Sequence, residues 1–147
     1  MVEIREITVD DLEALVGLLQ QLWPERSIDK GAVGRILVAG LRSDNQAYIG
    51  AVEECELIGF CSLTVKNNLW LEAKSGIVDE LVVDGAHRGR GVGRRLMGEI
   101  EKIAREQGCK RLDLESAGNL TSAHEFYERL GFEKTEYSSF FFAKNVG

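Results

Sequence analysis

Hydrophobic positions along the chain predict alternating strands and helices around one central unit. Residues 77–84 are mostly apolar and rich in β-branched residues between Gly76 and Gly85, which predicts a largely buried strand. A glycine-rich loop follows, and beyond it apolar residues recur at helical spacing until Gly108, which predicts a helix. The apolar face of that helix carries Leu96, Met97, Ile100, Ile103 and Ala104. Strand, loop and helix therefore form the centre of the predicted fold.

The first half of the chain predicts one short strand, two helices and a hairpin. Residues 2–5 alternate between apolar and charged side chains, which is typical of a strand. Apolar residues at helical spacing then predict one helix that ends at Pro24 and a second that is capped by Ser27. The remaining predicted elements are two hairpin strands at 46–53 and 57–66 and a loop at 67–72.

The last third of the chain predicts a strand, a short helix and a final strand. A helix crossover joins residues 111–115 to the central strand, so we expect these two strands to run parallel. A helix over 123–130 ends at Gly131, and a last strand is predicted over 132–135 and 137–142. The predicted fold class is α/β, with a mixed central β-sheet flanked by helices in a single domain over residues 1–147.

Charge is unevenly spread along the 147 residues and limits the classes of partner. The net charge is −6, but residues 1–81 carry −7 (7 Lys/Arg against 14 Asp/Glu) and residues 82–147 carry +1. The acidic half argues against nucleic-acid binding, while the cations gather at the glycine-rich loop. No apolar run reaches the length of a membrane span, so we expect no membrane partner.

The cysteines and histidines indicate a reducing compartment and no metal site. The three cysteines, Cys55, Cys61 and Cys109, form no close pair and no metal-binding spacing. Reduced thiols are typical of the cytoplasm, and the N-terminus lacks the layout of a signal peptide. With only two histidines in the chain, we expect no histidine-rich metal site.

The glycine-rich loop has the features of an anion site. Glycine occupies positions 89, 91 and 93, so backbone amides can approach a ligand closely. The loop leads into a helix N-terminus, where unpaired N–H groups suit a phosphate. Arg88, Arg90, Arg94 and Arg95 add positive charge. The dinucleotide-binding and nucleoside-triphosphate glycine motifs both fail here, so the loop predicts a pyrophosphate site of another kind.

Two sequence blocks resemble those of the GCN5-related N-acetyltransferases. Arg88-Gly89-Arg90-Gly91-Val92-Gly93 is similar to the family's coenzyme A signature, R/Q-x-x-G-x-G/A. Residues 119–132, from Asn119 through Phe126-Tyr127 to Gly131-Phe132, are similar to the family pattern N-x-x-A-x-x-[FL]-Y-x-x-x-G-F. Both blocks stand in the family's order, and the resemblance extends from about residue 57 to the end. It implies the acyl-CoA N-acyltransferase fold and acetyl-CoA as co-substrate.

The resemblance also implies which residues hold the coenzyme. The backbone of Leu81, Val82 and Val83 would pair with the pantetheine arm, where the two parallel strands splay apart, and Asn119 would hydrogen-bond the same arm. A backbone N–H near Glu80 or Leu81, at the family's β-bulge, would polarise the thioester carbonyl. The pyrophosphate would lie on the loop and helix start formed by Arg88, Gly89, Arg90, Gly91, Val92, Gly93 and Arg94.

Tyr127 and Glu80 are the candidate catalytic residues. Tyr127 matches the family tyrosine that protonates the departing thiolate, and a phenol has a pKa of about 10, close to that of an alkyl thiol. Glu80 is the candidate base, with Asp79 or a water chain as alternatives, and His124 is a candidate proton relay. Strand alternation places Asp79 and Glu80 on opposite faces of the sheet unless a bulge intervenes.

The predicted function is transfer of the acetyl group of acetyl-CoA to a primary amine of a small molecule, by direct attack in a ternary complex. Trp23 and Glu25, between the first two helices, are candidate acceptor contacts, as are Trp70 and Glu72 on the loop. Two alternatives stay open, a protein or peptide N-acetyltransferase and a non-catalytic acyl-CoA sensor. A homodimer is a further open expectation.

Overall fold

The computed structural model describes residues 1–116, 121–135 and 142–147. Its contacts group the chain into two compact units, Met1–Glu115 and Ser116–Gly147. The first unit contains β1 (Glu3–Glu6), α1 (Leu12–Leu22), α2 (Lys30–Leu41), β2 (Gln46–Glu53), β3 (Glu56–Asn68), β4 (Ala73–Val83), α3 (Val92–Glu106) and β5 (Cys109–Asp113). The second contains α4 (Thr121–Arg129). The prediction of one domain over the whole chain stays a prediction.

The five strands found in the described residues form one mixed sheet in the order β1-β2-β3-β4-β5. The pairs from β1 to β4 are antiparallel, and β4 pairs with β5 in parallel, as the helix crossover between them predicts. The predicted α/β class and mixed sheet are thus confirmed.

Helices cover both faces of this sheet. On one face, side chains of α1 and α2 pack with Ile7, Phe60 and Val82 in a buried cluster. The helix residues in this cluster are Leu15, Leu18 and Leu19 of α1 and Leu37 of α2. On the other face α3 packs on β3, where the sulfur of Cys61 lies 3.8 Å from that of Met97. This two-sided burial explains why β3 is apolar over most of its length from Leu57 to Val65.

Glycines set both ends of α3 as predicted. Gly91 is left-handed (φ 79°) immediately before Val92, and Gly108 is left-handed (φ 83°) two residues after Glu106. The positive φ at each position favours glycine, because other residues are strained there.

Some boundaries differ from the sequence prediction. Gly76 lies inside β4, where a Cβ would come within 2.8 Å of both Leu112 and Leu63, so this glycine permits close packing instead of ending the strand. Asp29 caps α2 by accepting a hydrogen bond from the amide of Ala32, so the prediction of Ser27 as the cap was wrong. The predicted strand at 111–115 is shifted to Cys109–Asp113.

The turns explain how the hairpins form. Glu54 and Cys55 both have positive φ (50° and 66°) in the two-residue turn between β2 and β3. This is the pattern of a type I′ turn, whose twist suits a hairpin. The loop predicted at 67–72 is shorter in the structure, since β3 extends to Asn68 and β4 starts at Ala73.

The second unit contains the predicted short helix. α4 ends just before Leu130, and Gly131 has a positive φ of 94°, as expected of a helix stop. Residues 132–135 carry no strand, which corrects that part of the prediction, and residues 137–141 lie outside the described residues. None of the helices in the described ranges is long and apolar enough to cross a membrane.

Candidate functional site

The parallel strands β4 and β5 pair over only part of their length. Their pairing runs from Lys74 opposite Cys109 to Ile77 opposite Asp113. Beyond it, residues 78–83 of β4 pair with β3 alone, within the part of the chain that the structure describes. The second side of β4 is therefore an open edge of backbone groups that an extended ligand could pair with.

Backbone alternation shows which residues face this edge. The N–H of Asp84 donates to the carbonyl of Ile58 on β3 (2.8 Å), so the backbone groups of residues 82 and 84 face β3. Those of Leu81 and Val83 therefore face the open edge. The carbonyl of Val83 agrees with this direction, because it accepts a hydrogen bond from Nε of Arg88 (3.1 Å).

The three residues predicted to bind the pantetheine arm thus divide into two groups. Leu81 and Val83 present their backbone to the open edge, whereas Val82 pairs with Phe60 of β3 and buries its side chain against α1 and α2. Coenzyme contact by any of the three stays a prediction.

A β-bulge interrupts β4 next to this edge. Leu81 lies opposite Cys61 and Val78 opposite Leu63, so Asp79 and Glu80 together face the single residue Ser62. The bulge places both carboxylates on one face. Asp79 Oδ2 accepts from Thr64 Oγ1 (2.6 Å), and Glu80 Oε1 accepts from Ser62 Oγ (2.7 Å).

That face is the one covered by α1 and α2. Ser62 lies directly opposite Tyr48 of β2, and the Tyr48 ring stacks on Phe60 (centroids 6.0 Å apart, planes at 12°) and packs against the buried cluster of α1 and α2. We name Tyr48, Ser62, Asp79 and Glu80 the polar patch. Tyr48 was not singled out from the sequence, since one aromatic on a strand has no local signature of function.

Burial sets the electrostatics of the polar patch. It raises the pKa of the Glu80 carboxyl above its ordinary value; the hydrogen bond from Ser62 opposes this rise, and the charge of Asp79 adds to it. The pKa of Tyr48 is raised as well, first by burial and then by the negative charges of Glu80 and Asp79. Glu80 is therefore a stronger base than an exposed carboxylate.

The glycine-rich loop leaves room for a ligand at its backbone. Gly89 and Gly91 have φ of 76° and 79°, and a Cβ at either position would have no atom within 4 Å. The amide of Arg95 makes the first helical hydrogen bond of α3, to the carbonyl of Gly91 (3.1 Å). The amides of residues 92–94 precede it and have no carbonyl to pair with in the helix, so they can receive an anion.

The arginines around the loop are engaged differently. Nη2 of Arg90 lies 2.7 Å from the Glu53 carboxylate, and Nη1 of Arg95 donates to the carbonyl of Val2 (2.6 Å). Nε of Arg88 donates a hydrogen bond to the backbone carbonyl of Val83. Arg94 is exposed and makes no hydrogen bond or ion pair within the described ranges. The cations best placed to meet a phosphate are thus Arg94 and the terminal nitrogens of Arg88.

A side-chain link from α1 fixes the segment before the loop. Gln21 donates to Asp84 (2.8 Å) and accepts from the amide of Gly85 (3.0 Å). Asp84 also caps the short 3₁₀ turn Gly85–His87 and lies 2.7 Å from Nδ1 of His87. The bond from Gln21, followed by that to His87, lowers the pKa of Asp84. This link was not predicted, because its partners are 63 residues apart.

The candidate acceptor residues are surface side chains. Trp23 is 36 % exposed at the end of α1, and Glu25 is exposed. Trp70 is 77 % exposed in the β3–β4 turn, where the Arg111 guanidinium lies 5.5 Å from the centre of its ring. Glu72 closes the same turn with a φ of 57°. Contact of any of these residues with an acceptor stays a prediction.

The second unit holds the candidate acid. Tyr127 lies on α4, half-buried, with edge-to-face contacts to Phe126 (5.5 Å) and Phe132 (6.0 Å). His124 is half-buried on the same helix. Asn119 lies outside the described residues. The catalytic role of Tyr127 stays a prediction.

Comparison with known proteins identifies the family. The model of the acetyltransferase (GNAT) family matches residues 4–132. The aminoalkylphosphonate N-acetyltransferase of Salmonella typhimurium is 28% identical over 135 residues, covering 92% of this chain and 87% of that protein. The aminoglycoside N(6')-acetyltransferase type 1 of Salmonella enteritidis is 25% identical over 142 residues, covering 95% and 97%.

The fold is similar to that of a solved acetyltransferase. An aminoglycoside N-acetyltransferase crystallised in complex with CoA superposes with a TM-score of 0.86 at 23% identity, covering 99% of this chain and 96% of that one. At this sequence identity, the structural likeness shows the fold alone.

The match of the family model and the two relatives show that the chain belongs to the acetyltransferase (GNAT) family. The predicted enzyme class, an acetyl-CoA-dependent N-acetyltransferase, is confirmed.

Proposed function

We propose that this chain transfers the acetyl group of acetyl-CoA to a primary amine of a small molecule, by direct attack within a ternary complex. The observation that carries the proposal is the open edge of β4 at Leu81 and Val83, which is followed along the chain by the glycine-rich loop and the unpaired amides at the start of α3. Both sites would be used by one ligand that has an extended polar arm and a pyrophosphate.

The described residues fit that ligand. The backbone of Leu81 and Val83 would pair with the pantetheine arm as a further strand pairs with a sheet. The amides of residues 92–94, with Arg88 and Arg94, would hold the pyrophosphate. When bound, acetyl-CoA supplies an acetyl group activated as a thioester.

The geometry of the bulge supports Leu81 as the residue whose amide would polarise the thioester carbonyl. The amide of Glu80 already donates to Ser62 Oγ (3.0 Å), whereas the amide of Leu81 faces the open edge. The Leu81 N–H is therefore the one available to stabilise the negative charge that develops on the carbonyl oxygen.

The polar patch and Tyr127 would move the protons. Glu80, whose pKa is raised by burial, would take a proton from the attacking amine. Tyr127 would give a proton to the sulfur of the departing thiolate. One proton would thus pass from the amine to the Glu80 carboxylate, and one from the Tyr127 hydroxyl to the thiolate sulfur.

Two negative groups side by side favour a cationic acceptor. Asp79 and Glu80 would attract an ammonium ion to the face covered by α1 and α2. Two relatives are named as N-acetyltransferases of aminoalkylphosphonates and of aminoglycosides. These names support a small amine as the acceptor over a protein N-terminus.

A panel of amines, assayed with acetyl-CoA by release of free thiol, tests the proposal. The panel contains aminoalkylphosphonates, aminoglycosides, amino sugars and short peptides. We expect turnover with at least one small amine, and loss of that turnover in Glu80→Gln with CoA affinity retained. Turnover with peptides alone, or CoA binding without transfer to any amine, would overturn the proposal in favour of a peptide acetyltransferase or an acyl-CoA sensor.

A further inference from the structure

We propose that Ser62 positions Glu80 for acetyl transfer, because its hydroxyl holds both the amide and the carboxylate of that residue. The inference rests on the proposed function, in which Glu80 accepts the proton of the amine. Ser62 acts through Glu80 and is a positioning residue.

The hydroxyl of Ser62 makes two hydrogen bonds to Glu80. The amide of Glu80 donates to Ser62 Oγ (3.0 Å), and Ser62 Oγ donates to Glu80 Oε1 (2.7 Å). A serine hydroxyl has one donor and two acceptor lone pairs, so both bonds form together. Ser62 is 2 % exposed, so solvent has little access to its hydroxyl.

The first bond supports the bulge. An extra residue in one strand loses its regular partner in the ladder, and its amide then needs another acceptor. Ser62 is the residue that faces Asp79 and Glu80, and its side chain provides that acceptor. Without the bulge, strand alternation would turn one of the two carboxylates to the opposite face.

The second bond orients the carboxylate and favours its charged form. A donated hydrogen bond stabilises the charged form, so Ser62 lowers the pKa of Glu80 against the rise from burial and from Asp79. Among the described residues, Tyr48 and Cys61 also interact electrostatically with Glu80. The charged side chains of the covering helices are Glu13 on α1 and Lys30 and Arg35 on α2.

The neighbouring carboxylate has a looser environment. Asp79 is exposed, and its carboxylate accepts one hydrogen bond from within the described residues, that of Thr64 Oγ1. Because Ser62 makes two hydrogen bonds to Glu80, the Glu80 carboxylate is held in place more firmly than that of Asp79 and is the better-positioned base.

A titration of the Glu80 carboxyl by ¹³C NMR tests this coupling without any acceptor. The resonance is assigned by its loss in Glu80→Gln. We expect its pKa to rise in Ser62→Ala and to return towards the parent value in Ser62→Thr, which keeps a hydroxyl. Ser62→Cys, nearly isosteric but with a weak donor, should shift it in the same direction as alanine.

A buried serine elsewhere in the sheet provides the matched control. Ser75 of β4 is 0 % exposed and accepts a bond from Asn68 Nδ2 (3.3 Å). Ser75→Ala removes the same atom from the interior and should leave the Glu80 titration unchanged. Equal titrations in the parent, Ser62→Ala and Ser62→Cys would overturn the inference.

Kinetics then connect the coupling to catalysis. With an acceptor from the amine panel, Ser62→Ala should move the acid limb of the kcat profile to higher pH and lower kcat about tenfold to a hundredfold, with KM for acetyl-CoA unchanged. A shifted NMR titration with an unshifted pH profile would show that Ser62 is only structural. A parent protein that acetylates no amine would overturn the proposed function, and with it any catalytic meaning of Ser62, even if the titration shifts.

Discussion

Arg90 in the glycine-rich loop is ion-paired with Glu53 at the end of β2, 37 residues earlier in the chain. Nη2 of the guanidinium lies 2.7 Å from one carboxylate oxygen and 3.0 Å from the other. The sequence predicted Arg90 as a coenzyme-binding cation. In the structure its charge is already balanced, so a phosphate would have to share or replace this partner.

Replacing Glu53 with glutamine should strengthen CoA binding. The change removes a negative charge close to the loop and releases Arg90 towards the phosphates. Exposed ion pairs contribute about 0.2–1 kcal/mol, so we expect a gain of up to about fivefold in affinity by calorimetry. The gain should shrink as salt rises, because the interaction is screened.

The matched control is Glu101→Gln, which breaks the exposed pair with Arg105 on α3 and changes the net charge equally. It should leave CoA affinity unchanged. Weaker CoA binding in Glu53→Gln would mean that the ion pair orders the loop more than it competes for Arg90.

Alanine at Gly91 should weaken CoA binding at least tenfold. The added Cβ would occupy open space next to the amides that we propose hold the pyrophosphate. The positive φ also makes alanine strained, at a cost of about 1 kcal/mol in stability. Gly108→Ala separates the two effects, since Gly108 has a similar φ (83°) and equally open space at the other end of α3. If Gly91→Ala and Gly108→Ala bound CoA with equal affinity, Gly91 would not be part of the CoA-binding site.

Glu80→Gln should stabilise the protein at neutral pH while it abolishes turnover. Because burial raises the folded-state pKa of Glu80, the folded chain binds this proton more tightly than the unfolded chain. The ionised carboxylate therefore costs stability above the folded pKa, and the cost disappears below the unfolded pKa. Thermal melts should show a higher Tm for the variant at pH 7 and convergence with the parent as the pH falls below the ordinary range of a carboxyl. A lower Tm for Glu80→Gln than for the parent at pH 7 would contradict a raised folded-state pKa of Glu80.

Tyr127→Phe tests the proposed acid. The variant keeps the ring contacts to Phe126 and Phe132 and removes only the hydroxyl. Loss of a general acid costs about a hundredfold to ten-thousandfold in rate, and acetyl-CoA affinity should stay constant. The measurement is single-turnover acetyl transfer. Transfer at the parent rate would make the tyrosine structural.

Cys55→Gly should stabilise the β2–β3 hairpin. Cys55 has a φ of 66°, a conformation that favours glycine, and the second position of a type I′ turn is commonly glycine. We expect a gain of about 0.5 kcal/mol in the free energy of unfolding, measured by denaturant titration, because relief of the left-handed strain outweighs the greater entropy that glycine loses on folding. Cys55→Ala keeps the strain and should give no gain; an equal gain there would assign the effect to loss of the thiol.

The sequence was sufficient for the parts of the fold that depend on neighbouring residues. The central strand, the glycine-rich loop and α3 were predicted because apolar periodicity and glycines define them locally. The cap of α2 was assigned to Ser27 instead of Asp29 because both residue types cap helices and stand close together. Gly76 was taken as a strand boundary because its packing against Leu112 is visible only in three dimensions.

The arrangement of the candidate site depended on pairing between strands. Asp79 and Glu80 share a face only because the register between β3 and β4 changes at Ser62, and no local pattern encodes that change. The links from Gln21 to Asp84 and from Glu53 to Arg90 join distant segments for the same reason.

We also expect the open edge of β4 to influence self-association of the protein. A row of unpaired strand amides is a template on which a second polypeptide can add a strand, and such edges promote aggregation. The bulge at Asp79 and Glu80 bends this edge and places charge beside it, which hinders pairing with another flat strand. A coenzyme lying along Leu81 and Val83 would cover the same groups, so its binding would protect the protein from self-association as well as prepare it for catalysis.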